Sequence, residues 1–428
     1  MAELTTLSLE SLGKTYALDV PKQNLMICHK PQAAALTDPQ GSIVAVLEAP
    51  IGAPPLAQAA RGAKNATVIV DDWGRSDATR RQVAPIVLDH LNRAGIPDEQ
   101  ITVVIARGLG LAPSMTFVEQ TFGPALMARP IRRQISAVQR SGQRFLGFST
   151  LGSPVWIDRA VTDADFVVGI GSAFPSPWGG WSGGAKIIVP GVASSDTICH
   201  NHAMMLHATP GTWDHPGLAD REEIARMAGL DFLVNLVLTP GGEIAAVGAG
   251  EFRQTHRNMG DEYLRLYSVR LPRRPDVVVT TVGWWEGPQF PMDSLYGFVD
   301  QSLNCFERIA DPGATIVLVG NAPGGIWAGM REYMRTAYTL EDLAELKLRA
   351  GTLAFVAVLL GIQVKMHQAK YRMILAVDGL DAATQSDMGF EPAASANEAL
   401  QMALSRYGPK AQVAVLPALG CPNWPVIG

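Results

Sequence analysis

Short β-branched runs alternate with amphipathic helical patterns along this chain, and that alternation limits the possible folds more than any other feature. Residues 66–70 form one such run, residues 80–94 place apolar side chains on one helical face, and residues 101–105 form the next run. A strand, a helix and a second strand in this order form a βαβ unit, whose strands lie parallel in one sheet. The sequence therefore predicts an α/β fold.

The alternation resumes after a Pro-rich break at residues 271–275, which is typical of a linker. We therefore expect two α/β domains with mainly parallel sheets and a ligand cleft between them, because clefts of this kind are usual ligand sites. The predicted boundaries are residues 1–270 for the N-terminal domain and 275–405 for the C-terminal α/β domain. Residues 406–428 form a terminal strand and tail, whose return to the N-terminal domain is left open.

Composition excludes several classes of partner. The chain has 428 residues, a net charge of −5 and a pI of about 5.9, so a broad basic surface for nucleic acid is not expected. Its four cysteines are scattered without a CxxC pair, which disfavours a disulfide framework or a zinc site. No apolar run reaches the about 20 residues of a membrane span. We expect a cytoplasmic protein that binds neither nucleic acid nor membrane, with a homo-oligomer left open.

The most unusual stretch runs Trp-Gly-Gly-Trp-Ser-Gly-Gly-Ala-Lys and ends at Lys186, after a buried-type strand at residues 165–170. Its glycines allow the backbone to approach a ligand closely, and Trp178 and Trp181 suggest a stacking surface. The stretch is not a P-loop, because Ala185 separates the last glycine from the lysine. The alternative is a structural loop with a solvated lysine.

Two histidines, His200 and His202, follow in Thr-Ile-Cys-His-Asn-His. A neutral imidazole is a common ligand for transition metals, but two histidines alone do not complete a site. Ordinary surface or core histidines are therefore the alternative.

Earlier in the chain, Asp71 and Asp72 follow the strand at residues 66–70, where they would bind a ribose, a cation or the neighbouring arginine. The alternative there is a turn with a local Asp–Arg pair.

Together these residues resemble the nickel-dependent lactate racemase family and its 2-hydroxyacid racemase and epimerase relatives. The resemblance covers nearly the whole chain, and the series Ser-Gly-Gly-x-Lys, Pro-Gly and His is its most specific part. The segments that share the family's pattern are residues 51–55, 70–75, 91–97, 152–156, 182–186, 190–191, 228–232 and 312–313.

The resemblance implies an isomerase that racemises or epimerises a 2-hydroxyacid. Residues 1–270 would bind a nickel-pincer nucleotide (nickel pyridinium-3,5-bisthiocarboxylic acid mononucleotide) that is covalently attached at Lys186, and His202 would be the protein ligand to nickel. Hydride leaves the α-carbon for this cofactor and returns to the other face. The implied partners are a small hydroxyacid and the enzymes that synthesise the cofactor. The residues assigned to the nucleotide and its phosphate are Asp72, Arg75, Trp178, Ser182, Gly183 and Gly184.

Two departures from the family bear on the substrate. The family's two acid–base histidines fall on Gly110 and near Ser176, and neither residue replaces an imidazole. The carboxylate-binding segment, at residues 291–300, lacks the expected glutamine and lysine. We therefore expect a hydroxyacid other than lactate. The alternatives are another hydride transfer on the same cofactor, namely a redox isomerisation or dehydrogenation, and a non-catalytic relative that binds the cofactor. The residues expected to rebuild the proton relay are Arg107, His200 and Asp71.

Overall fold

The structure is a computed structural model that describes residues 3–72, 76–108, 115–137, 139–176, 178–281, 305–323, 325, 334, 358–419 and 423–428. The chain folds into two compact units. The central unit is Ala33–Leu266, and the terminal unit combines Met1–Gln32 with Tyr267–Gly428. Among the residues that the structure describes, no helix has both the length and the apolar character needed to cross a membrane.

The secondary structure alternates as predicted. The strands are β1 (Leu4–Ser11), β2 (Lys14–Pro21), β3 (Leu25–Cys28), β4 (Ala66–Asp71), β5 (Ile101–Ala106), β6 (Arg132–Ile135), β7 (Gln143–Phe148), β8 (Pro154–Asp158), β9 (Phe166–Ser172), β10 (Phe174–Ser176), β11 (Gly180–Ser182), β12 (Phe232–Leu238), β13 (Ile244–Gly250), β14 (Ser268–Leu271), β15 (Val277–Thr281), β16 (Thr315–Asn321), β17 (Arg372–Asp378), β18 (Glu391–Pro392), β19 (Val413–Val415) and β20 (Trp424–Ile427). The helices are α1 (Pro39–Glu48), α2 (Leu56–Ala59), α3 (Ala84–Arg93), α4 (Met115–Met127), α5 (Arg159–Thr162), α6 (Ser195–Ala203), α7 (Pro216–Met227), α8 (Phe252–Tyr267), α9 (Phe306–Ile309), α10 (Ala382–Asp387) and α11 (Ala396–Leu404).

The central unit is built on a six-stranded sheet of order β13-β12-β9-β4-β5-β6. Its strands run parallel except β13, which pairs antiparallel with β12. Strands β9 and β12 are buried along their whole length, as expected for strands covered on both faces. The βαβ unit predicted over residues 66–105 is confirmed. The Pro-Gly-Gly sequence at residues 240–242 predicts a turn, and β12 and β13 on either side of it form a hairpin.

The direction of winding changes between β4 and β9. From β4 the chain adds β5 and β6 on one side of the sheet, and it later adds β9 and β12 on the other side. Ligands of open α/β sheets bind outside the carboxyl ends of the strands at such a switch point. The segments that follow β4 and β9, which contain the predicted Asp71–Asp72 pair and the glycine-rich stretch, therefore meet at the edge where a ligand site is expected.

The terminal unit differs from the predicted boundaries at both chain ends. Its six-stranded parallel sheet has the order β18-β17-β16-β15-β19-β3. Because β3 pairs with β19, the first 32 residues belong with the C-terminal half. Residues 406–428 stay in that unit, where β20 pairs with β14, and do not join residues 33–266. Pairing between opposite chain ends leaves no local sequence pattern, which is why the boundaries were predicted wrongly.

The hairpin of β1 and β2 also belongs to the terminal unit. Its apolar face, formed by Leu9, Leu18 and Val20, is buried against β15, β16 and α11 in one hydrophobic cluster. The apolar runs at residues 276–281, 315–319, 371–377 and 412–416, which predict strands, form β15, β16, β17 and β19. The sequence pattern also predicts helices at residues 295–309 and 340–350. Of the first, only α9 lies within the described residues, and the second lies outside them.

Candidate functional site

The glycine-rich stretch forms a tight hairpin followed by a helical turn, where the sequence predicted a long loop. Strands β10 and β11 pair antiparallel from Phe174 opposite Ser182 to Ser176 opposite Gly180, and a 3₁₀ turn at Gly184–Ile187 contains Lys186. Gly179 and Gly180 have φ angles of +89° and +82°, which glycine adopts without the penalty of other residues. These two glycines therefore allow the chain to reverse direction between β10 and β11.

Protein side chains fill the space beside Gly183 and Gly184. A Cβ on Gly184 would lie 2.1 Å from His256 Nδ1, and one on Gly183 would lie 2.8 Å from Asn235 Oδ1. The Gly184 N–H donates to Asn235 Oδ1 at 3.0 Å, and His256 Nε2 donates to the Ser182 carbonyl at 2.8 Å. The Gly184 amide, which the sequence assigned to a phosphate, is thus used inside the protein. Contacts of Ser182 and Gly183 with a nucleotide stay predictions.

Lys186 lies against the hairpin. Its Nζ donates to Ser176 Oγ at 3.0 Å, and the same Oγ accepts the Trp178 N–H at 3.2 Å. Ser176 is only 1% exposed, and Lys186 is partly buried. This arrangement differs from the solvated lysine of the alternative interpretation. It also places Ser176, the residue nearest one of the family's histidine positions, directly beside Lys186.

Helix α6 buries His202 and exposes His200. The helix begins after Ser194, whose Oγ accepts the Thr197 N–H at 3.2 Å and so satisfies one of the free amides of its first turn. The His202 ring is 4% exposed and stacks on Trp178, with ring centroids 5.1 Å apart and planes inclined by 28°. Residues two positions apart lie on different faces of a helix. The structure therefore brings His202 to the hairpin, but the predicted relay residue His200 lies on the exposed face.

The surroundings of His202 keep its imidazole neutral. Burial lowers the pKa of His202 well below its usual value, and the positive charges of Arg221 and Lys186 lower it further, while the Ile198 carbonyl has a smaller opposite effect. His202 Nδ1 makes no hydrogen bond of normal geometry to a described residue. A neutral imidazole with an available lone pair is the form that binds a transition metal.

Two buried residues beside this site were missed by the sequence analysis. Arg221 on α7 donates from Nη2 to the Trp178 carbonyl at 2.8 Å, and burial lowers its pKa to about 10. His256 on α8 lies beneath Gly184, and burial lowers its pKa to about 3. Arg221 stands in Asp-Arg-Glu-Glu, a composition typical of a solvated helix face. No local signal therefore distinguished it.

The Asp71–Asp72 segment forms a local Asp–Arg turn, as the alternative interpretation held, but its partner is Arg80. The Arg80 guanidinium is 1% exposed and donates to the carbonyls of Asp71 and Asp72 and to the Asp77 carboxylate. The Asp71 carboxylate accepts a hydrogen bond from the hydroxyl of Thr79. These contacts place the Asp71 carboxylate within the turn. A nucleotide contact of Asp72 stays a prediction.

Arg107 follows β5 at the same sheet edge. Its N–H donates to Ser136 Oγ at 3.0 Å, and the next N–H, of Gly108, donates to the Gly191 carbonyl at 3.0 Å. The end of β5 is thereby joined to the residues that follow Lys186. Burial lowers the pKa of Arg107, and its Nε makes no hydrogen bond to a described residue.

Several predicted site residues lie outside the described residues. These are Arg75, Gly110 and the carboxylate-binding segment at residues 291–300. Within the part of the chain that the structure describes, no group of three or more His, Cys, Asp or Glu side chains is arranged to bind a metal. A metal at His202 would therefore need further ligands from a bound molecule or from residues outside this part.

Comparison with known proteins agrees with the sequence resemblance. The chain is 24% identical to the lactate racemase of Lactiplantibacillus plantarum over 391 residues, which is 88% of this chain and 89% of that protein. It is also 24% identical to the lactate racemase of Thermoanaerobacterium thermosaccharolyticum over 379 residues, 87% of each.

Solved structures share the fold. The lactate racemase apoprotein of T. thermosaccharolyticum superposes with a TM-score of 0.85 at 21% identity, covering 98% of this chain and all of that one. A protein from Thermotoga maritima superposes with a TM-score of 0.63 at 15% identity, covering 93% of this chain. Residues 13–213 match the family model described as the lactate racemase N-terminal domain. The chain therefore resembles lactate racemases over most of its length, and residues 13–213 match their N-terminal domain.

Proposed function

We propose that the protein racemises or epimerises a 2-hydroxyacid other than lactate, using a nickel-pincer nucleotide attached at Lys186. The supporting observation is that Lys186 and His202 each contact a residue of the same turn, residues 176–178. Lys186 Nζ donates to Ser176 Oγ, and the His202 ring stacks on Trp178, two residues further along. Similarity to two lactate racemases over most of the chain supports this class of reaction.

The side chains present fit such a cofactor. A lysine amine is a suitable group for a covalent attachment, and a buried neutral imidazole suits nickel. The described residues supply no closed set of protein ligands around His202. A nickel ion there would thus need further donor atoms, from the attached molecule or from residues outside the described part, and a pincer nucleotide would provide such atoms.

When bound, the cofactor would accept hydride from the α-carbon of the hydroxyacid and return it to the opposite face. The residues of the chain would bind the cofactor and orient it. Lys186 would hold the nucleotide covalently, His202 would bind nickel, and Trp178 fixes the plane of the His202 ring by stacking. Ser176 and His202 are almost completely buried, which excludes water from their side of the site.

The substrate hydroxyl also needs a group that takes up and returns its proton, a contribution of about 10²–10⁴-fold in rate. Of the three residues expected to rebuild this relay, His200 is exposed and Asp71 is bound within its own turn. Arg107 has a buried Nε–H without a described partner. A guanidinium donates hydrogen bonds but does not accept a proton, so we assign Arg107 only as a donor that orients the substrate oxygen and name no described residue as the proton acceptor.

Ser176 favours a second candidate function. Its hydroxyl lies beside Lys186, the family resemblance expects an imidazole near this position, and a hydroxyl is a poor general base. A chain of this kind would bind the cofactor without catalysing racemisation. The cofactor would then be present on Lys186, and hydroxyacids would not be converted.

One experiment tests the proposal. The protein is produced together with cofactor-synthesis enzymes and incubated in deuterated solvent with a panel of single-enantiomer 2-hydroxyacids and sugar acids. We expect inversion of one class with the α-hydrogen retained. Exchange of that hydrogen with solvent would contradict hydride transfer. Cofactor-loaded protein that converts no member of the panel would support the non-catalytic candidate.

A further inference from the structure

Arg221 is a buried cation with a single directed contact among the described residues. Its side chain is 0% exposed, and its Nη2 donates to the Trp178 carbonyl at 2.8 Å, while Nε and Nη1 make no hydrogen bond to a described residue. Burying a guanidinium is costly unless its contacts compensate. The position therefore calls for an explanation beyond the packing of α7.

The neighbouring carboxylates are bound to other groups. Asp220 accepts hydrogen bonds from Ser153 Oγ at 2.9 Å and Asn201 Nδ2 at 2.9 Å. Glu222 forms its ion pairs with Arg253 at 2.9 Å and with Arg257 at 3.5 Å. Their negative charges raise the pKa of Arg221 and so oppose the effect of burial. The contact that fixes the direction of the Arg221 guanidinium is therefore the one to Trp178.

The hairpin turn is shaped to receive this guanidinium. A Cβ on Gly179 would lie 2.8 Å from Arg221 Nη2, and φ at Gly179 is +89°. Any side chain at Gly179 would thus separate the turn from Arg221. The carbonyl of the preceding residue, Trp178, accepts the Arg221 hydrogen bond, because the absence of a side chain at Gly179 leaves room for the guanidinium.

Trp178 is held at both ends of its peptide. Its N–H donates to Ser176 Oγ, its carbonyl accepts from Arg221, and its ring stacks on His202. We propose that Arg221 is a positioning residue, which fixes Trp178 and through it the orientation of the His202 imidazole. Its importance for nickel rests on the proposed function, whereas its effect on the His202 ring does not.

The test uses Arg221→Met and Arg221→Lys, with Arg226→Met as the matched control, since Arg226 is an exposed arginine on the same helix. In the protein without cofactor, the ¹⁵N signals of the His202 ring are recorded and assigned through His202→Gln. We expect these signals to shift or broaden in Arg221→Met, to recover in part in Arg221→Lys, and to stay unchanged in Arg226→Met. An unchanged His202 spectrum in Arg221→Met would overturn the proposal.

In cofactor-loaded protein, the mass adduct on Lys186 and the retention of nickel against a chelator are measured separately. We expect Arg221→Met to keep the adduct and to lose nickel at least about tenfold faster, a change of about 1.4 kcal/mol. If Arg221→Met fails to fold, Trp178→Leu removes the stack and leaves the carbonyl, and it should show the same loss. If Trp178→Leu retained nickel as long as the wild-type protein does, the proposal would be overturned. A wild type without adduct or nickel would instead refute the proposed function, and the apoprotein spectra would still decide the role of Arg221.

Discussion

The indole of Trp178 stacks on the imidazole of His202, with ring centroids 5.1 Å apart and planes inclined by 28°. The peptide of Trp178 also donates to Ser176, whose hydroxyl accepts from Lys186 Nζ. One short turn after β10 therefore connects the proposed attachment point of the cofactor with the proposed nickel ligand. The relative placement of these two groups depends on that turn.

The two histidines of α6 provide an internal comparison. We expect His202→Ala to reduce nickel to less than about a tenth per chain in cofactor-loaded protein, because the buried imidazole is the proposed ligand. His200→Ala should leave nickel unchanged, since His200 lies on the exposed face of the same helix. Metal analysis of the two purified variants, with circular dichroism as the check on folding, makes the measurement. Equal nickel in both variants would contradict the assignment of His202.

The glycine at position 184 is expected to be required for packing. Gly184→Ala would place a Cβ 2.1 Å from His256 Nδ1 at a φ of +55°, so both overpacking and backbone strain apply. We expect a loss of about 2–5 kcal/mol in the free energy of unfolding. Gly229→Ala is the control, because its φ is +77° but no atom lies within 4 Å, and it should cost only about 1–2 kcal/mol. Urea unfolding measures both; similar losses would mean that His256 moves aside freely.

The pair of Asp98 and Arg129 should stabilise the protein in a pH-dependent way. The Arg129 guanidinium donates to both carboxylate oxygens of Asp98, at 2.8 and 2.7 Å, and holds the pKa of Asp98 below its usual 3.8. Because the folded pKa is below the unfolded one, the stabilisation is complete above the unfolded value and is lost as pH falls through the folded value.

We therefore expect Arg129→Met to lower the free energy of unfolding by about 1–3 kcal/mol at pH 7, and by less at pH 3. Denaturant unfolding at both pH values measures the difference. Arg93→Met, at an exposed and longer pair with Glu48, should change it by less than about 0.5 kcal/mol. A loss from Arg129→Met that is the same at both pH values would show that the ion pair contributes nothing beyond packing.

Local patterns predicted the elements of both sheets, because strand and helix periodicity is a property of neighbouring residues. The run at residues 66–70 and the helical pattern at residues 80–94 appear as β4 and as a π-helical turn continuing into α3. The pairing of β3 with β19 was not predicted, since it joins opposite ends of the chain. The hairpin of β10 and β11 was predicted as a loop, because its glycines were interpreted as allowing close approach to a ligand or positive φ angles, and the pairing of the two short strands was not foreseen.

The candidate site was predicted in part for the same reason. Lys186 and His202 stand in a recognisable series of residues, and Trp178 was expected to stack, although its partner is an imidazole of the protein. Arg221 and His256 approach the hairpin from α7 and α8, and only the folded chain brings them there. His200 differs from His202 by the face of the helix on which it lies, which the sequence alone did not resolve.

The most direct test is the mass of Lys186 in protein produced together with the cofactor-synthesis enzymes. Intact-mass measurement and peptide mapping should find a nucleotide adduct on Lys186 with about one nickel per chain, absent from Lys186→Ala and present in the exposed-lysine control Lys64→Ala. Unmodified Lys186 in nickel-free wild-type protein, under conditions that load a lactate racemase, would contradict the account.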